Sequence, residues 1–96
     1  MPAYVIVDIE VSDPNKYEEY RRLGQASLAV YGGKYLARGG RTEPFEGSWA
    51  PKRVVILEFD SAVRAKEWYN SHEYGLARAA RRGAANFNML LVEGLA

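Results

Sequence analysis

A chain of 96 residues makes one small domain and buries only a modest share of its surface, so association between copies is a common source of added stability at this size. Its residues are 48% hydrophobic and 26% charged, within the globular range, and 13 basic against 12 acidic side chains leave a net charge of +1, without the basic excess that nucleic-acid binding uses. The lack of cysteine excludes disulfide scaffolds and thiol chemistry, and acids near the N-terminus with no long apolar window leave a soluble cytoplasmic domain over 1–96, without a membrane partner, as the expectation.

AYVIVDIEV, residues 3–11, is β-branched and alternating, which predicts a strand. Ala3, Val5, Val7, Ile9 and Val11 form one wholly apolar face; Tyr4, Ile6, Asp8 and Glu10 form another that starts apolar and ends acidic. Asp13-Pro14 marks a helix start, with a side-chain acceptor at the cap and proline where its missing N–H costs nothing. Tyr17, Tyr20, Gly24, Ser27, Leu28 and Tyr31 recur at helical spacing, and Gly32 suits a left-handed stop. KYLAR, residues 34–38, begins a second strand, and Gly39-Gly40 predicts a bulge or bend within the extended stretch. RTEPFEGSWAP follows as an irregular arm. KRVVILEFD, residues 52–60, is a strand apolar on both faces. Ser61 caps a helix that turns Ala62, Ala65 and Trp68 or Tyr69 inward, SHEYGLARAARRG is a further helical piece ended by Gly83, and NFNMLLVEG, residues 86–94, is the last strand.

The order is β-α-β-β-α-β with its second helical region split. With right-handed crossovers this predicts an α+β, ferredoxin-like fold: a four-stranded antiparallel-type sheet with helices on one face. The first, third and fourth strands are apolar on both faces, so a monomer would expose a larger apolar patch than soluble monomers tolerate. Two sheets packed face to face cover it, and a homodimer through the open sheet face is expected. A monomer with an amphipathic sheet is the alternative.

Taken together, DP..Y.EY, YGG.YL.RGG, FEG.W.P.R.V.LEF, S...A..WY.S.EY, R..A and LVEG make the chain resemble the domain-of-unknown-function 1330 family, short proteins of the dimeric α+β barrel superfamily, over essentially its whole length. The resemblance implies ferredoxin-like protomers paired into a barrel. It implies no established activity, since the wider superfamily includes cofactor-independent monooxygenases, muconolactone isomerases, haem-handling proteins and ligand-sensing domains. Asp60-Ser61 departs from the family, whose members often have proline before the serine.

The glycine pairs invite a phosphate-loop reading, but Gly33-Lys34 is followed by Tyr35, which cannot supply the metal-binding hydroxyl, and neither pair lies between a strand and a helix in that order. They are architecture. His72 is the one histidine, which excludes H-E-x-x-H zinc sites and facial triads; no metal and no cofactor is expected, and haem handling would rest on His72 alone. It falls in the turn NSHEY, either as an exposed or capping residue or as a ligand contact. Ser61 and Ser71 are conceivable nucleophiles, but both stand at helix caps.

The carboxylates carry more chemistry. With the first and third strands side by side and parallel, Asp8 and Glu10 approach the same carboxyl edge as Glu58 and Asp60. A partly buried acid there would have a raised pKa, so Glu58 and Asp8 are the candidate catalytic acid or base. The competing reading pairs Glu58 with Arg38 or Arg53 as a structural ion pair. Arg38 is a natural two-pronged anchor for an anion. With Arg53, Tyr31, Trp68, Tyr74 and His72 it makes up the candidate ligand-binding set, the aromatics forming walls between sheet and helices. The expected function is binding, with or without transforming, a small anionic or aromatic molecule without a cofactor; the alternative is a non-catalytic sensing or interaction dimer.

Overall fold

The computed structural model describes residues 1–95 and runs β1 (Ala3–Val11), α1 (Pro14–Val30), β2 (Lys34–Arg38), β3 (Val54–Phe59), α2 (Ala62–Tyr69), α3 (His72–Ala80) and β4 (Ala85–Glu93). The expected span 1–96 ends one residue beyond the described ones. The strands form one four-stranded sheet in the order β2-β3-β1-β4, with every neighbouring pair antiparallel. This is the ferredoxin-like α+β arrangement expected from the element order.

Each helix starts where a side-chain acceptor is available. Asp13 Oδ1 accepts the Lys16 amide at 3.1 Å, Ser61 Oγ that of Arg64 at 3.1 Å, and Ser71 Oγ that of Tyr74 at 3.0 Å. Such caps contribute about 1 kcal/mol each, and they commit both serines to structure. α1 stops at Tyr31 and Gly32, the latter at φ 71°. The next residue must also be glycine, because a Cβ on Gly33 would sit 2.8 Å from Leu28 Cγ and 2.9 Å from Phe59 Cε1.

Val5, Val7 and Ile9 of β1 pack with Val55, Leu57 and Phe59 of β3 under the helices. Phe59 lies 5.3 Å from Trp68 between ring centroids, and Trp68 4.1 Å from Tyr74. Burying a Phe of this kind is worth about 2–3 kcal/mol. Trp68 keeps its indole N–H satisfied by donating to Ser27 Oγ at 3.0 Å, and Ser27 in turn donates to the Gly24 carbonyl at 2.7 Å.

Two expectations are corrected. β1 and β3 are antiparallel, because the split β-α-β unit places β3 between two strands that both run against it; Tyr4 stands opposite Glu58 and Asp8 opposite Val54. The acids therefore lie at opposite ends of the sheet rather than at a common edge. The irregularity in β2 is also displaced: the register shifts at Leu36, between Tyr35 and Ala37, while Gly39 at φ 71° closes the strand.

The face away from the helices carries Tyr4, Ile6, Val54 and Ile56, with Leu90 at 56% and Val92 at 42% exposure continuing the patch onto β4. Asp8, Asn88, Glu58 and Lys34 stand at its margins. Residues 40–52 carry neither helix nor strand, and this arm leaves Phe45 98% exposed. Asp8 secures its return: Oδ1 accepts the amides of Lys52 at 3.0 Å and Arg53 at 3.4 Å, and Oδ2 accepts the Trp49 indole N–H at 3.3 Å.

Candidate functional site

A cleft of about 40 Å³ opens between the helix-facing side of the sheet and the helices. That is room for two or three water molecules or the end of a small organic molecule. Its walls are apolar and buried: Val7, Ile9, Val55 and Leu57 from the sheet, Tyr17, Gly24 and Leu28 from α1, and Trp68 and Tyr74 from α2 and α3. Arg21, Arg38, Arg53 and Tyr35 line it too, but each is partly exposed, which places them at its mouth.

The bulge at Leu36 builds this mouth. By absorbing one residue it sets Tyr35 opposite Leu57 and Arg38 opposite Val55, so both turn to the helix side. The Arg38 guanidinium lies 4.4 Å from the Tyr35 ring centroid, and its Nη1 donates to Gln25 Oε1 at 3.2 Å. Arg53, just ahead of β3, lays its guanidinium against Gly39, where a Cβ would come within 2.6 Å of Cζ. Arg21 Nη1 donates to Glu18 at 2.9 Å, an exposed pair. The Nε atoms of Arg21 and Arg53 are buried and have no hydrogen-bond partner. Burial pushes the Tyr35 hydroxyl up from its ordinary pKa, while Arg38, then Arg21 and Arg53, pull it down. One hydroxyl thus feels all three guanidinium groups.

Deeper in, the Tyr20 and Tyr74 hydroxyls share a 2.8 Å hydrogen bond, and Arg81 Nη1 donates to the Tyr74 oxygen at 3.4 Å. Burial drives the Tyr20 pKa far above the usual tyrosine range and raises that of Tyr74. Both stay protonated at neutral pH and act as donors and acceptors, not as bases.

Of the predicted ligand set, Arg38, Arg53, Trp68 and Tyr74 meet at this cleft. Tyr31 lies apart from its lining. Its hydroxyl donates to Glu73 at 3.2 Å, its carbonyl accepts from Arg64 Nε at 3.2 Å, and Arg64 covers its ring at 4.7 Å, so it fastens the end of α1 to α2 and α3. His72 is exposed as the first residue of α3 rather than in a turn. Glu58 and Asp8 face the opposite side of the sheet from the cleft, and the Arg38–Glu58 pair does not form because Glu58 is opposite Lys34 while Arg38 points to the helices. No group of three potential metal-ligating side chains occurs among the described residues.

Arg21, Gly24 and Tyr35 extend the predicted set. Arg21 is four residues after Tyr17 and three before Gly24, so the inward stripe of α1 carried its signal. Tyr35 had none, because the bulge that turns it inward leaves no mark in the sequence.

The model of the family described as Domain of unknown function (DUF1330) matches residues 2–95. No curated protein matches the chain. Among solved structures, a protein of unknown function from Rhodopseudomonas palustris is 19% identical, with 99% of this chain and 83% of the other covered at a TM-score of 0.73. A dimeric ferredoxin-like protein of unknown function from Jannaschia sp. CCS1 is 10% identical, with 98% and 100% covered and a TM-score of 0.71. SnoaB, a cofactor-independent oxygenase from Streptomyces nogalater, is 10% identical, with 99% and 94% covered and a TM-score of 0.67. At these identities the likeness shows the fold alone.

Proposed function

We propose that this chain, which belongs to the Domain of unknown function (DUF1330) family, works as a homodimer that holds a small organic molecule in the cleft between its sheet and helices. The observation that carries the proposal is the cleft itself: aromatic and aliphatic walls ending at a mouth of arginines. Mostly apolar concavities with a few placed polar groups are the usual form of small-molecule sites. The cleft's volume of about 40 Å³ takes the end of a small molecule whose remainder lies along the mouth.

The homodimer is supported by the apolar face of Ile6, Ile56 and Leu90, which the chain's own helices leave uncovered, and by structural neighbours described as dimeric and ferredoxin-like. Pairing two copies through that face removes it from water.

Binding is favoured over acid–base turnover by the chain's own carboxylates. The cleft lining holds no carboxylate or imidazole, and burial raises the pKa of Tyr20, Tyr35 and Tyr74 within it. Glu58 and Asp8 are accordingly read as structural, with Asp8 tying down the arm. A non-catalytic sensing dimer uses the same cleft and differs only in the consequence of binding.

The test uses Trp68 as its reporter. The chain has two tryptophans, so Trp49→Phe leaves the one in the cleft wall. Titration with a panel of small organic acids, amides and phenols is expected to give saturable fluorescence changes that Gly24→Leu, which fills the cleft, removes. A panel that never perturbs Trp68, or changes untouched by Gly24→Leu, contradicts the reading.

A further inference from the structure

We propose that the mouth of the cleft is a carboxylate site, in which Arg21, Arg38 and Arg53 grip the head of a short organic acid whose tail enters the apolar interior. The inference rests on reading the cleft as a ligand site and adds the chemistry of what enters.

The first ground is charge. Three guanidinium groups converge on one rim of a chain whose net charge is only +1. A guanidinium is always ionised, and with Glu18 answering only Arg21 the rim keeps uncompensated positive charge at Arg38 and Arg53. Among the described residues, Arg21 pairs with Glu18, Arg22 with Glu19, Arg41 with Glu43 and Arg64 with Glu67, whereas Arg78, Arg81 and Arg82, in and just after α3, have no acid partner. Among the described residues, Arg38 and Arg53 take no such partner; Arg38 is steadied by neutral Gln25, which leaves its charge uncompensated.

The second ground is hydrogen bonding. The Nε–H groups of Arg21 and Arg53 are removed from solvent and donate to nothing. Buried polar groups in folded proteins are almost always satisfied, and an unpaired charged donor is among the costlier exceptions. The two guanidinium groups must turn at the mouth to present these enclosed donors, and a carboxylate, with two oxygens and about four acceptor sites, suits such a pair once they do.

The third ground is construction. Gly39 leaves the space that the Arg53 guanidinium fills, and the Leu36 bulge turns Arg38 from the open face to the helix side. Both devices deliver cations to the mouth. Behind them lie Val7, Leu28, Val55 and Trp68, which can take a short hydrocarbon tail but offer nothing to a second charged oxygen. That asymmetry favours an organic acid over a free phosphate.

The test follows the arginine Nε–Hε resonances of the ¹⁵N-labelled protein during titration with propionate, its neutral isostere propionamide and inorganic phosphate. Propionate is expected to move the Arg21 and Arg53 signals saturably, with propionamide at least about 10-fold weaker, since charge-assisted hydrogen bonds are worth that much. Arg53→Gln and Arg38→Gln are expected to weaken propionate about 10–100-fold, and Arg53→Lys less, because charge remains but the fork is lost. The isostere comparison needs no variant, so a folding defect in one leaves the test intact. Equal shifts with propionate and propionamide overturn the inference while leaving the cleft as a ligand site. Tighter binding of phosphate overturns the carboxylate assignment. Shifts confined to exposed arginines such as Arg41 also overturn it, and Trp68 fluorescence decides the fate of the cleft separately.

Discussion

Gly39 and Arg53 are fitted to one another: the glycine takes φ 71°, and a Cβ there would stand 2.6 Å from the centre of the arginine's guanidinium. The strand end and the cation at the cleft mouth are therefore one feature. Gly39→Ala introduces a side chain into a left-handed backbone and evicts Arg53 from its seat. A stability loss of about 1–2 kcal/mol is expected by denaturant unfolding. Propionate affinity should fall about tenfold at the same time. Unchanged affinity would separate Arg53 from the site.

Gly24 should show the opposite balance. It lies inside α1 and lines the cleft, and an added Cβ meets nothing nearer than the Tyr20 ring at 3.6 Å. Gly24→Ala is expected to raise stability by about 0.5–1 kcal/mol through helix propensity. By occupying cleft volume it should weaken ligand binding. A gain in melting temperature together with a loss in Trp68 response checks both in one sample.

The open sheet face gives the assembly test. Ile6 stands opposite both Ile56 and Leu90, on the side away from the helices. Ile6→Asp should leave the protomer's secondary structure intact by circular dichroism while converting the dimer to monomer by light scattering, since a charge buried without a partner is strongly unfavourable. A variant that keeps the wild-type mass contradicts pairing through this face.

The buried hydroxyl pair predicts a pH dependence. Tyr20 and Tyr74 have pKa values raised in the folded state above the ordinary value of 10.0. Below about pH 10 both folded and unfolded tyrosines are protonated, and their contribution is complete. Above it the unfolded chain ionises while the folded one holds its protons, so stability falls as pH rises. Tyr20→Phe removes one such group. The stability lost between pH 8 and pH 11 should therefore be smaller in the variant than in the wild type, and an equal or larger loss would contradict the burial of this pair.

Much of the fold was legible in the residues. Alternation in AYVIVDIEV, the Asp13-Pro14 start and the Tyr17–Tyr31 stripe each fix a local element by periodicity or capping, and those elements leave few ways to assemble. What escaped depends on relations between strands. Whether Asp8 approaches Glu58 is decided by the direction and register of β3 against β1, and their antiparallel pairing sends the two acids to opposite ends. Which way Arg38 points is decided by one extra residue at Leu36, which reverses the face of everything after it. Arg38 thus reaches the cleft mouth, while the partner expected for it, Glu58, lies across the sheet.

The most direct measurement of the account is a crystal structure of the protein grown with propionate. The expected result is two copies packed through Ile6, Ile56 and Leu90, each with the carboxylate between the guanidinium groups of Arg21, Arg38 and Arg53 and the tail directed toward Trp68. A cleft closed by its own side chains, with Arg38 and Arg53 turned to solvent or paired with acids of the chain, would contradict it.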